Sequence, residues 1–136
     1  MLRSVELEHY MIKNPVTISK DAGLLEAVNL ILSNKVSGLC VTDDAGHLIG
    51  ILSEIDCLQG ILSATYNQST VGEVCEYMAG EEIDVAKPGD DIISTALDMM
   101  KNGQRRRPVV DKDNKLLGQI TCRQLLTAVN KFNSPE

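Results

Sequence analysis

Apolar and polar residues alternate along the chain in two rhythms, and the pattern is written twice. Leu24, Leu25, Ala27, Val28, Ile31 and Leu32 recur at helical spacing, which predicts an amphipathic helix with Asp21 as its N-cap. Ile92, Ile93, Ala96, Leu97, Met99 and Met100 repeat that spacing after Asp90. Each helix is followed by two short strand-like runs, 39–42 with 48–52 and 109–110 with 116–121. The stretches that join them, "DDAGH" and "DKDNK", carry the Asp, Gly and Asn of tight turns. A brief strand is expected before each helix (16–18; 83–85), and a short helix before that (5–11; 71–78). Thr70 and Glu73 have capping-box spacing for the second of these. A last helix starts near Glu54 and again near Arg123, and "SATYNQST" between the halves reads as a polar linker.

The repetition is close to exact in register. Tyr10-Met11 recurs as Tyr77-Met78, 67 residues on, and Val41-Thr42-Asp43 as Val109-Val110-Asp111, 68 residues on. Two repeats, 1–66 and 67–136, each of order β-α-β-β-α, therefore account for the chain, and the fold class is α/β in the α+β sense. One repeat is too small to cover both faces of its sheet, so the two are expected to pack sheet to sheet as one pseudo-twofold module.

Composition narrows the function classes. A hydrophobic fraction of 43% with 24% charged residues implies a folded core, and the absence of Trp makes that core aliphatic. A net charge of −6 argues against a general nucleic-acid surface. Cys40, Cys57, Cys75 and Cys122 form no Cys-x-x-Cys pair and read as reduced, mostly buried thiols of a cytoplasmic protein. The first residues lack the apolar run of a signal peptide, and no stretch is long enough to span a membrane. His9 and His47 lack partners at metal spacing, and Met99-Met100 is expected in the core. With no nucleophile–base pair and no phosphate-cradling glycine loop, an enzyme is not expected.

One phrase appears in both halves: "GILSEID" at Gly50 to Asp56 and "GQITCRQ" at Gly118 to Gln124. Two readings fit it. Ser53-x-x-Asp56 and Thr121-x-x-Gln124 are spaced as helix caps. Alternatively Asp56, an ionised carboxylate with two acceptor oxygens, can take both hydroxyls of a ribose diol.

The doubled phrase, together with "VVD…LLGQIT" and the β-α-β-β-α order, resembles a tandem pair of cystathionine-β-synthase (CBS) domains, a Bateman module. The resemblance implies a regulatory sensor that binds an adenine nucleotide or adenosyl compound (AMP, ADP, ATP or S-adenosylmethionine) in a cleft between the repeats. It also implies a homodimer that relays occupancy to a regulated protein, without nucleic acid or membrane as partner. The alternative is a scaffold that dimerises and docks without ligand. On the resemblance Asp56 grips the ribose and Ser53 holds the ribose or the α-phosphate side. Thr17 and Ile18, with Val36, Ser37 and Gly38, form the adenine pocket, although Cys40 stands where the family usually has Pro. Among Arg105–Arg107, Arg106 or Arg107 binds phosphate, or the cluster is a solvated strand edge. Arg123 reaches the phosphate of a nucleotide held at Asp56, or is a solvated residue on a first helical turn; its counterpart in the first repeat is Ile55 beside Glu54. Thr121 and Gln124 mark a second site that is weak, empty or specialised, because an amide accepts through one oxygen and carries no charge.

Overall fold

The computed structural model describes residues 5–80 and 82–132. The ends of the predicted repeats at 1–4 and 133–136, Glu81 and the Phe132 side chain lie outside the described residues. The chain forms two compact units, a continuous one, Pro15–Ile83, and a split one, Met1–Asn14 with Asp84–Glu136. These cut across the repeats read from the sequence: the leading turn of each repeat belongs to the unit built by the other.

In the continuous unit a three-stranded sheet has the order β2-β3-β4, from β2 (Thr17–Ser19), β3 (Gly38–Thr42) and β4 (Leu48–Ser53). Strand β3 is central, parallel to β2 and antiparallel to β4, and its Gly38 to Val41 are all buried. Helices α1 (Leu24–Asn34) and α2 (Glu54–Tyr66) complete the unit. Ile18, Leu24, Ala27, Ile31, Leu39, Val41, Leu52, Cys57 and Val74 form its core.

The split unit repeats the plan with a sheet of order β1-β6-β5, from β1 (Ile12–Lys13), β5 (Arg106–Val110) and β6 (Leu116–Thr121). Helices α3 (Ile92–Lys101) and α4 (Cys122–Phe132) accompany it. Leu7, from the leading turn, is fully buried in this core beside Ile92, Met99, Val109 and Ile120.

Several expected elements differ. The leading helices are single 3-10 turns, Leu7–His9 and Val74–Glu76. The second turn is closed by the Glu76 carboxylate, which accepts the Glu73 N–H at 2.6 Å, rather than by Thr70 with Glu73. The strand expected at 83–85 is one parallel bridge, Ala86 to Val109. Pro108, at the position where Cys40 pairs with Thr17, has no N–H to give to a ladder, and the Lys87–Asp90 turn begins at once. Gly23 and Asp91 occupy the N-cap positions expected of Asp21 and Asp90. Asp90 instead accepts the Lys87 N–H within that turn. Ser63 to Tyr66 of the expected linker continue α2, held by the burial of Ala64. Finally, the apolar stripes are wider than the surfaces they bury: Leu25, Leu32, Ile93, Leu97 and Met100 are exposed.

The glycine that opens each phrase has a packing cause. A Cβ on Gly118 would run into the Ile12 carbonyl oxygen and sit 2.9 Å from the Met11 sulfur. A Cβ on Gly50 would meet the Met78 sulfur at 2.5 Å and the Ala79 carbonyl oxygen at 3.1 Å. In both units the Tyr-Met turn passes directly over the glycine, so its lack of a side chain admits a strand or bridge pairing there.

Candidate functional site

The predicted nucleotide residues of the first repeat meet at one end of the continuous unit's sheet. Thr17 opens β2, Gly38 opens β3 and Ser53 closes β4. Parallel pairing of Thr17 with Cys40 and antiparallel pairing of Gly38 with Ser53 bring these three to the same end of the sheet. The Glu54 N–H donates to the Ser37 carbonyl at 3.0 Å, which ties the segment before β3 to the start of α2. Thr17 and Ser37 are exposed and Val36 is half-buried. Ile18, in contrast, is 5% exposed and packs in the core, so its side chain faces the core rather than a ligand.

Ser53 and Asp56 form a reciprocal capping box. Ser53 Oγ accepts the Asp56 N–H at 3.1 Å, and Asp56 Oδ2 accepts the Ser53 N–H at 2.9 Å. The cap fixes the Asp56 carboxylate at the positive end of α2. Its second oxygen has no hydrogen bond among the described residues. Capping and ligand binding are therefore compatible in this one side chain.

The second phrase is closed differently. The Gln124 N–H reaches Thr121 Oγ1 at 3.3 Å, and the Thr121 hydroxyl donates to Gln124 Oε1. The Cys122 N–H donates to the Arg105 carbonyl at 2.9 Å, matching the Glu54–Ser37 bond, and Arg106 pairs with Thr121 as Gly38 does with Ser53. Arg123 is exposed on the first turn of α4, and its guanidinium has no partner among the described residues. Arg107 is not a solvated edge residue. It is 6% exposed and its guanidinium bonds Asp98 at 2.8 Å and Gln104 Oε1.

The cysteines divide. Cys40 and Cys57 are buried, whereas Cys75 and Cys122 are exposed, and all four are free thiols. Burial pushes the Cys57 thiol up, and the Asp56 and Glu54 carboxylates push it further the same way. It is thus held as the inert thiol. The exposed leading turn also brings Glu6, Glu8 and His9 ligand atoms within 4.8 Å of one another, a proximity that helical winding creates and sequence spacing did not suggest. Among the described residues no helix is long and apolar enough to cross a membrane.

Comparison with known proteins accords with this geometry. The CBS domain family matches residues 6–63 and 71–131. Inosine-5'-monophosphate dehydrogenase of Aquifex aeolicus is 33% identical over 119 residues, which is 88% of this chain and 23% of that protein's length. The structure of CBSX2 in complex with AMP superposes with a TM-score of 0.85 at 24% identity, covering 96% of this chain and 100% of that one; CBSX2 is an Arabidopsis thaliana CBS-pair protein. The CBS domain pair of protein MJ0100, in complex with 5'-methylthioadenosine and S-adenosyl-L-methionine, superposes with a TM-score of 0.79 at 20% identity, covering 94% of this chain and 98% of that one. At those identities the structural likeness is one of fold. Two matched segments that together span most of the sequence place this chain in the CBS domain family as a tandem pair.

Proposed function

We propose that the chain is a regulatory module that binds an adenine nucleotide or adenosyl compound at the Asp56 end of the continuous unit and relays occupancy to a regulated protein. The observation that carries this reading is the Asp56 carboxylate: pinned by the cap through one oxygen, it leaves the other without a hydrogen bond among the described residues, at the sheet end where exposed Thr17 and Ser37 and the side-chain-free Gly38 also lie. A carboxylate oxygen held in place suits a ribose hydroxyl without an ordering cost at binding. The AMP and adenosyl ligands of CBSX2 and MJ0100 support the ligand class. Asp56 takes the ribose, Ser53 and Thr17 supply hydroxyls beside it, and the backbone at Val36, Ser37 and Gly38 reads the base edge. Arg123 belongs to the split unit, exposed on the first turn of α4. The module works without catalysis of its own, in the cytoplasm, where free thiols persist.

The same chain is proposed to form a homodimer through its helices. Leu32, Leu58 and Leu62 in one unit and Leu97, Met100 and Leu126 in the other are more than half exposed, apolar area that a lone soluble chain seldom leaves open. This observation also favours the second reading, a ligand-free docking scaffold.

A thermal-shift series with AMP, ADP, ATP, S-adenosylmethionine and GTP separates the two. Ligand at about 100 times its Kd adds roughly 2.7 kcal/mol, a rise of several degrees. The sensor reading expects a rise with an adenine ligand that Asp56→Ala abolishes and Ser53→Ala, which removes one of the hydroxyls beside the ribose, weakens. No rise with any of them leaves the scaffold. Sedimentation of the same protein as a monomer would remove the dimer from either account.

A further inference from the structure

The two repeats align at two offsets, and the structure chooses between them before the first helix. Ala86 bridges Val109 as Ile18 pairs with Val41, an offset of 68, so the counterpart of Asp84 is Val16 rather than Thr17. With that offset, four positions change character together. Val16, Leu30, Val36 and Leu39 lie in or against the apolar core of the continuous unit. Their counterparts in the split unit are Asp84, Asp98, Gln104 and Arg107.

These four polar residues are not scattered. The Gln104 side-chain amide donates to Asp84, its oxygen accepts from Arg107 Nε at 3.1 Å and from the same guanidinium's terminal nitrogen, and Arg107 pairs with Asp98 at 2.8 Å. The result is one continuous chain, Asp84–Gln104–Arg107–Asp98, with a nearly buried cation at its centre. No single member works alone, because a buried guanidinium without acceptors carries its full desolvation cost. The chain sits at the end of β5 nearest Thr121. The Gln104 carbonyl accepts a weak bond from Cys122 Sγ at 3.9 Å, and Gln124 spends its oxygen on Thr121.

We infer that this end of the split unit is closed by its own side chains, so that each polypeptide binds one adenine nucleotide, at the Asp56 end alone. The inference rests on the nucleotide reading above and fixes its stoichiometry. At the Asp56 end a base meets the half-buried, apolar Val16 and Val36 and a ribose meets a carboxylate. At the other end a base would have to separate Asp84 from Gln104, and a ribose would meet a neutral amide already hydrogen-bonded. The Arg107 guanidinium is not free for a phosphate there, because Asp98 and Gln104 already occupy it. Arg107 is therefore a structural cation, not a phosphate ligand.

Calorimetric titration of the full chain with AMP, and with the adenine ligand of largest thermal shift if that is another, tests the stoichiometry. Wild type should bind one equivalent, Asp56→Ala and Asp56→Asn should lose affinity by roughly a hundredfold, and Gln124→Ala should stay within about twofold. Two equivalents in wild type, or binding that survives in both Asp56 variants and disappears with Gln124→Ala, overturns the inference. A ligand-free arm separates its failure from that of the nucleotide reading. The Arg107 Nε–H should give a sharp, slowly exchanging NMR signal that Gln104→Ala broadens. A solvent-averaged Arg107 signal in wild type would mean an open end, whether or not nucleotide binds elsewhere.

Discussion

Asp43 and Asp111 close the two β-turns by the same means. Asp43 accepts the N–H groups of Ala45 and His47 at 2.9 and 2.8 Å, and Asp111 those of Asp113 and Lys115 at 2.8 and 2.9 Å. The His47 N–H above all holds Asp43 below the ordinary carboxylate range, and the Lys115 N–H does the same for Asp111. A carboxylate whose folded pKa is depressed contributes stability above its unfolded pKa, and that contribution is lost as the pH falls through the folded value. Melting temperature should therefore hold from neutral pH into mild acid and then fall below the normal Asp range. Asp43→Asn with Asp111→Asn should make that acid limb shallower, and an unchanged limb would assign acid sensitivity to other groups. The turns were legible in "DDAGH" and "DKDNK", because Asp at a turn start acts on neighbours in sequence. The Ser53–Asp56 box was legible for the same reason. The burial of Ile18 and Arg107 was not, since it depends on partners that local spacing does not reveal: Arg107 pairs with Asp98, 9 residues away on α3, and Gln104, which also holds it, is bound to Asp84, 20 residues away.

At the scale of elements, the helical and strand periods identified every helix longer than one turn and five of the six strands among the described residues, missing β1, and β6 has the expected bounds. What failed were the short pieces. The leading turns and the pairing at Ala86 are set by the strand they lie against, and the helix stripes by how much of their width the sheet covers. The two glycines give this a measurable form. At Gly118 the obstacle is the Ile12 backbone oxygen, which cannot retreat without breaking the β1–β6 pairing. At Gly50 the nearest atom belongs to the flexible Met78 side chain, with the Ala79 oxygen at 3.1 Å. Gly118→Ala should therefore cost about 2–3 kcal/mol and Gly50→Ala about 1 kcal/mol, the range for overpacking with and without a yielding neighbour. Urea unfolding of the two variants measures the difference, and equal losses would mean that the strand gives as readily as the methionine.

For the molecule as a whole, the sequence repeat and the folding unit are different segments. Repeat boundaries near residue 66 follow from self-similarity, which registers descent of the sequence pattern and not where a segment packs. The turn at 74–76 occupies the continuous unit's core: Val74 is fully buried there, and Tyr77 and Met78 pack against it. Hydrogen bonds from Leu24 to Gly72, Val74 to Ala22, Cys75 to Lys20 and between Ile51 and Ala79 fasten the same turn. A fragment 1–66 loses all of this and retains a leading turn, with Leu7, whose core is elsewhere. Full burial of an apolar side chain is worth about 1.5–3 kcal/mol, so losing buried Val74 together with the partly buried Tyr77 and Met78 removes a sizeable share of the roughly 5–15 kcal/mol that stabilises a whole domain. A fragment 15–83 keeps every residue of its core. Expressed separately, 15–83 should melt cooperatively by circular dichroism and 1–66 should show no transition. The reverse result would make the repeat, and not the exchanged unit, the element that folds.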